Sequence, residues 1–130
     1  MTWLLDTNTV SFYLRGVPTV VQRVQAEKPA DLAVSAITAF ELRYGAMKRQ
    51  SAKLTAAVEG FLTFVATLPF DGEVAARAGA LKDALEKKGQ PSGLPDLLIA
   101  AHALTLDLTL VSNNTKDFAH ISGLRLVDWA

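Results

Sequence analysis

A chain of 130 residues, half of them apolar and a fifth charged, has the size and composition of one compact unit and is too apolar to remain disordered. Thirteen basic residues balance thirteen acidic ones, which excludes the broad attraction of a strongly basic nucleic-acid binder and leaves only a local patch for such contacts. The absence of cysteine excludes disulfides and cysteine chemistry. With no apolar run of membrane-spanning length and no signal-peptide pattern, the expectation is a soluble cytoplasmic protein without membrane contact.

In chain order, Trp3 to Leu5 reads as a short buried strand that ends abruptly in Asp6-Thr7-Asn8. A helix is expected over Thr7 to Leu14, stopped by Arg15-Gly16, and a second opens at Pro18 and runs to Ala26. Leu32 to Val34 forms a second buried strand, with Ser35 placed to cap the next helix, Ala36 to Lys48. In that helix Ile37, Phe40, Tyr44 and Met47 recur at three- and four-residue intervals, predicting an apolar stripe with Glu41 at its margin. An amphipathic helix follows from Ala52 to Ala66. Thr67 to Phe70 suits an edge strand, since Pro69 cannot donate to a central ladder.

Gly72 to Lys88 reads as a helix, Gln90 to Leu94 as a loop, and Pro95 to Leu106 as a helix apolar nearly all round, hence central. Thr109 to Val111 is a strand, Ser112 to Asn114 a turn, and Leu124 to Val127 a last strand. Short strands alternating with helices indicate the α/β class, a mainly parallel sheet flanked by helices, with no internal repeats or linkers.

Three acids stand out by position. Asp6 ends the first strand, Glu41 borders an apolar stripe, and Asp96 sits in the first turn of the central helix. Each has an ordinary explanation: Asp6 caps a helix, Asp96 complements a helix dipole, and Glu41 pairs with a neighbouring cation. Parallel topology, however, gathers strand ends and helix N-termini on one sheet edge, where open α/β sheets bind their ligands. Three carboxylates converging there repel one another unless a cation neutralises them. An all-oxygen ligand set suits Mg²⁺ or Mn²⁺ better than zinc, and Mg²⁺ retains waters that can serve as nucleophile. His102 and His120 have no matched partner spacing and receive no catalytic role.

Four segments, Leu5 to Asn8, Ser35 to Gly45, Pro95 to Ala103 and Val111 to Phe118, occur in the order found in PIN-domain ribonucleases, and the chain resembles the VapC-type toxins of bacterial toxin–antitoxin pairs. The resemblance runs over the whole chain to Gly123–Trp129, implying a single PIN domain over residues 1–130 with a PIN-like fold. It implies a metal-dependent endoribonuclease with Asp6, Glu41 and Asp96 as metal ligands. The fourth acidic position falls in Asn114 to Asp117; Asn114 stands where many relatives carry Asp, with Asp117 just beyond. Asn8, Thr38 and Ser112 match polar positions that support the carboxylates. Arg43, Lys48, Arg49 and Lys53 form the best local basic cluster for gripping RNA phosphates.

The chemistry so implied is in-line attack on an RNA phosphodiester by water that Mg²⁺ or Mn²⁺ activates, leaving a 5′-phosphate and a 3′-hydroxyl. Transfer RNA, first of all the initiator tRNA anticodon loop, or a ribosomal RNA loop is the substrate class. The implied partners are a second copy in a homodimer and a cognate antitoxin, through which operator DNA is reached. Two rivals stand beside this reading. An aspartate-nucleophile phosphatase wants a second acid where this chain has Asn8. A non-catalytic RNA- or protein-binding PIN-like module would have no use for three intact acids.

Overall fold

The computed structural model describes residues 1–130. A five-stranded, wholly parallel sheet has the order β3-β2-β1-β4-β5, built from β1 (Trp3–Leu5), β2 (Leu32–Ser35), β3 (Ala66–Leu68), β4 (Thr109–Val111) and β5 (Leu126–Val127). Seven helices accompany it: α1 (Thr7–Leu14), α2 (Pro18–Ala26), α3 (Ala36–Lys48), α4 (Ala52–Phe64), α5 (Gly72–Lys87), α6 (Leu94–Leu106) and α7 (Thr115–Phe118). No helix is long and apolar enough to cross a membrane.

The period of two along a strand explains why the short strands are apolar throughout, because each must feed two cores. Leu5, Leu32, Val34 and Val111 join a cluster with Val10, Val20, Val24, Leu42, Val58 and Phe61, which places α1 to α4 over one face. Leu4, Ala33 and Leu110 point the other way, into a cluster with Leu85, Leu97, Ile99, Ala100, Ala103 and Phe118 from α5 to α7. The α6 helix, expected to be central, buries Leu97 and Ile99 through Ala103.

Three sequence expectations are corrected. The edge strand lies at Ala66–Leu68 rather than Thr67 to Phe70, because the helix before it ends at Phe64 and Pro69 closes the ladder. The last strand is confined to Leu126–Val127, and a helix absent from the sequence reading, α7, follows the Ser112–Asn114 turn. The third concerns α3. Its core face is Thr38, Ala39, Leu42 and Ala46, while Phe40, Tyr44 and Met47 of the expected apolar stripe are 65%, 57% and 75% exposed. Small residues face the core because α3 packs close to both β2 and α4.

One buried polar pair ties the two layers together. Ser35 caps α3 by accepting the Ile37 N–H at 3.1 Å, and its hydroxyl lies 2.8 Å from Nδ1 of the fully buried His102 on α6. Burial pushes the imidazole pKa down, opposed by the charge of Asp71, so the ring is held in its neutral form. Ser35→Ala removes the cap and strips Nδ1 of its partner. The expected cost is about 2 kcal/mol, read as a lower urea midpoint at unchanged slope. An unchanged midpoint would mean that the pair contributes nothing to stability.

Candidate active site

The strand order places the topological switch point between β1 and β4, since the chain leaves β1 toward β2 and β3 and returns to β4 on the other side. Both strands end in polar residues there. Asp6 follows β1 and Ser112 follows β4, joined across the gap by the Asp6 N–H donating to the Val111 carbonyl at 3.0 Å. Asp6 is 4% exposed and does cap α1, accepting the Thr9 N–H at 2.8 Å; the Thr9 hydroxyl in turn donates to Val111 at 3.0 Å. Burial pushes the Asp6 carboxyl above the usual range. Hydrogen bonding from Ser112 and Thr9 pulls it back, and the charge of Asp128 adds to the rise.

Glu41 projects from α3 toward α1, where it accepts a hydrogen bond from the Thr7 hydroxyl at 2.6 Å. That hydroxyl also lies 3.3 Å from the fully buried Thr38 hydroxyl. Asp96, in the first turn of α6, has its pKa raised by burial and then by the charges of Asp117, Asp6 and Glu41, in that order. Four carboxylates from separate stretches of the chain therefore share one electrostatic field. No group of three or more stands close enough to hold an ion as the side chains lie.

Three of the acids border two cavities, Asp96 and Asp117 one and Glu41 the other, and Asp6 lines neither. A polar cavity of about 410 Å³ is lined by Asp96, Asp117, Lys116, His120 and the loop Pro91–Gly93, with the Ser92 hydroxyl 2.8 Å from Nε2 of His120. A second, of about 300 Å³, is lined by Glu41, Thr7, Asn8, Arg15, Arg49 and apolar residues of α3 and α4. Asp117 shares the first cavity with Asp96, whereas Asn114 precedes α7 and directs its N–H to the Ser112 hydroxyl at 3.0 Å.

Of the three polar residues named beside the acids, Asn8 is exposed, Ser112 hydrogen-bonds Asp6 together with Thr9, which the sequence reading did not name, and Thr38 lies against the Thr7 hydroxyl. Thr7, inside the same short motif, is the residue that meets Glu41, a contact spanning 34 positions that no local pattern could reveal. In the basic cluster, Arg43 is committed to a two-pronged ion pair with Glu59 at 2.9 Å on both prongs, and Lys48 and Lys53 are exposed. Only Arg49 of that cluster lines a cavity beside an acid, while Arg15 and Lys116 join it from outside the cluster. In addition, Oδ1 of Asn113 is buried without a hydrogen-bond partner in the turn after β4.

Comparison with known proteins bears on this arrangement directly. The PIN domain family model matches residues 3–124. The chain is a PIN domain of the VapC family. It is 35% identical over 129 residues to a tRNA(fMet)-specific endonuclease VapC of Shigella flexneri, covering 98% of each chain, and 36% identical over 128 residues to ribonuclease VapC2 of Haemophilus influenzae. Among solved structures, this PIN domain superposes on DNA-bound VapBC from Salmonella typhimurium with a TM-score of 0.93, at 35% identity over 100% of this chain and 99% of that one. It matches VapBC2 from Rickettsia felis, bound to a promoter DNA fragment, with a TM-score of 0.92 at 30% identity and full coverage of both chains. The parallel sheet flanked by helices is thus the PIN architecture of these complexes.

Proposed function

We propose that residues 1–130 act as a single PIN domain that hydrolyses RNA phosphodiester bonds in the presence of Mg²⁺ or Mn²⁺ in the bacterial cytoplasm, restrained by a cognate antitoxin. The observation that carries this reading is the shared field of Asp6, Glu41, Asp96 and Asp117 at the carboxyl edge of the sheet. The residues fit a hard divalent cation: their donors are all oxygen, and a cation would offset both the burial and the like-charge repulsion that raise Asp96. Asp6, Glu41 and Asp96 would hold it, with Asp117, which shares a cavity with Asp96, completing the set in preference to Asn114. Such an ion supplies Lewis acidity that makes water nucleophilic near neutral pH and offsets phosphate charge.

The side chains do the rest. Thr9 and Ser112 fix the Asp6 carboxylate and Thr7 fixes Glu41, so each acid is oriented before substrate arrives. Arg49 and Lys116, each lining one of the two cavities, would meet the phosphates on either side of the bond to be cut. No side chain becomes a covalent nucleophile. By analogy with the Shigella relative, initiator tRNA is the first target to try, ahead of other tRNA or rRNA loops. By analogy with the VapBC complexes, the antitoxin carries the contact with operator DNA.

The purified protein, incubated with total RNA, should release discrete fragments with 5′-phosphate ends when Mg²⁺ or Mn²⁺ is present and none in excess chelator. Cleavage indifferent to chelator would overturn the metal-dependent reading. The same reading includes a homodimer, for which the Phe40, Tyr44 and Met47 face of α3 is the candidate surface, two of its rings stacking at 6.4 Å in the open. Tyr44→Asp should convert the dimer mass measured by light scattering to that of a monomer. A dimer that persists would exclude this face.

A further inference from the structure

The cavity beside Glu41 differs in character from the polar one beside Asp96. Leu42, Leu54 and Val58 give it an apolar wall, Asn8 a polar edge, and Arg15 and Arg49 a cationic rim. Arg23, Arg43 and Arg125 are each paired with a carboxylate, whereas Arg15, Arg49 and, away on α5, Arg77 are not. Arg15 instead lies 5.0 Å over the Phe12 ring, and neither Arg15 nor Arg49 forms a salt bridge. Their charge is therefore available to an anion, in a cavity that already touches one of the site carboxylates.

Gly45 adds an independent observation. It lies inside α3, and a β-carbon there would meet no heavy atom within 4 Å; the same is true of Gly60 and Gly79 in other helices, but only Gly45 of the three lines this cavity. Alanine would fit and would favour the helix, so neither packing nor backbone conformation within the chain calls for glycine. The bare helix wall leaves room for something flat to lie against it. At about 300 Å³ the cavity is at the small end of the range for small-molecule sites.

We infer that this cavity receives one unstacked nucleotide of single-stranded RNA next to the bond to be cut. Its base lies against Gly45, Leu42 and Val58, its edge is read by Asn8, and its flanking phosphates rest on Arg15 and Arg49. Proteins that read single-stranded RNA stack splayed bases on aromatic side chains or guanidinium planes, and this cavity, which has no aromatic lining, offers the guanidinium groups of Arg15 and Arg49. Two unpaired cations around an apolar wall match a nucleotide, an anion with a planar apolar body, better than an uncharged segment. The inference rests on the nuclease reading and adds to it where selectivity for unpaired RNA originates.

The test is steady-state cleavage of a single-stranded oligoribonucleotide with Mn²⁺ by wild type, Gly45→Leu, Arg15→Ala and a control, Gly79→Leu, in which the same exchange is made at an open position of α5. Gly45→Leu should raise KM at least about tenfold with a much smaller change in kcat. Arg15→Ala should raise KM and lower its salt dependence by about one ion. Gly79→Leu should match wild type, and thermal melts should show all variants folded. Unchanged KM in Gly45→Leu and Arg15→Ala would overturn the nucleotide pocket while leaving the nuclease intact, and the cavity would then belong to another occupant such as a polypeptide. Failure of wild type to cleave any RNA would overturn the nuclease reading and this inference with it.

Discussion

Asp6→Asn should all but eliminate RNA cleavage while leaving the protein folded. Two roles meet in this carboxylate, and the substitution separates them. The cap on α1 needs only an oxygen to accept the Thr9 N–H, now at 2.8 Å, and asparagine caps a helix about as well as aspartate. The negative charge is what asparagine lacks. Removing it takes away a 4% exposed carboxylate whose pKa burial already pushes up, so stability at neutral pH should not fall. Cleavage should fall by at least about a hundredfold, the scale on which fixed electrostatic groups act in transition states. Asp6→Ala loses the cap as well, at about 0.5–2 kcal/mol, so alanine alone would confuse a folding defect with a chemical one. Circular dichroism and RNA cleavage measured on the same asparagine sample distinguish the two. Activity within tenfold of wild type would show that the charge of Asp6 is dispensable.

Asp96→Asn should inactivate the protein and at the same time raise its melting temperature at neutral pH in chelator. Burial and the charges of Asp117, Asp6 and Glu41 all raise this carboxyl. A raised folded-state pKa means that the native state binds the proton more tightly than the unfolded chain. The penalty therefore sets in as pH rises above the free value of 3.8, and is complete above the folded pKa. Thermal scans between about pH 4 and pH 8 should accordingly show wild type losing ground to Asp96→Asn as pH increases. Adding Mn²⁺ should narrow the gap at the high-pH end, because a cation that binds only the native state stabilises it. A variant less stable than wild type at neutral pH would mean that Asp96 is held by favourable contacts, not strained by its neighbours.

Much of this was readable from the chain because the sheet is parallel and covered on both faces. Leu4 and Leu5 must feed opposite cores, so the strand reads as an unbroken apolar run whose end is marked by Asp6. The position of Glu41 was also legible, but for a reason that did not hold. The stripe of Phe40, Tyr44 and Met47 that seemed to draw it inward faces solvent, and Glu41 is half-buried because α3 leans on α1 at Thr7. Helical spacing identifies a face and does not say whether a core or a partner will cover it. Asp96 could not be placed by the rule that helices follow strands, since α5 intervenes between β3 and α6. Its place beside Asp117 and Asp6 was implied by the family motif and is a tertiary fact.

What stayed hidden has the same physical origin. Thr7 bonds Glu41, and Arg15 and Lys116 share cavities with residues far away in the chain; a hydroxyl or a cation on a short polar stretch carries no period to betray such a meeting. Asn8 stands in the motif beside Asp6, yet the turn into α1 leaves it exposed and turns the backbone of Thr9 to the carboxylate. Arg43 looked like part of a phosphate grip until Glu59, sixteen positions on, claimed it. Charge clusters in sequence are a census of charges, and pairing across helices decides which remain free.

The central claim is that carboxylates 90 positions apart in sequence, Asp6 and Asp96, serve one divalent ion. Calorimetric titration of Mn²⁺ into wild type, Asp6→Asn and Asp96→Asn tests it most directly. Binding to wild type that disappears in both variants is the predicted result. Undiminished binding in either one would contradict a shared site.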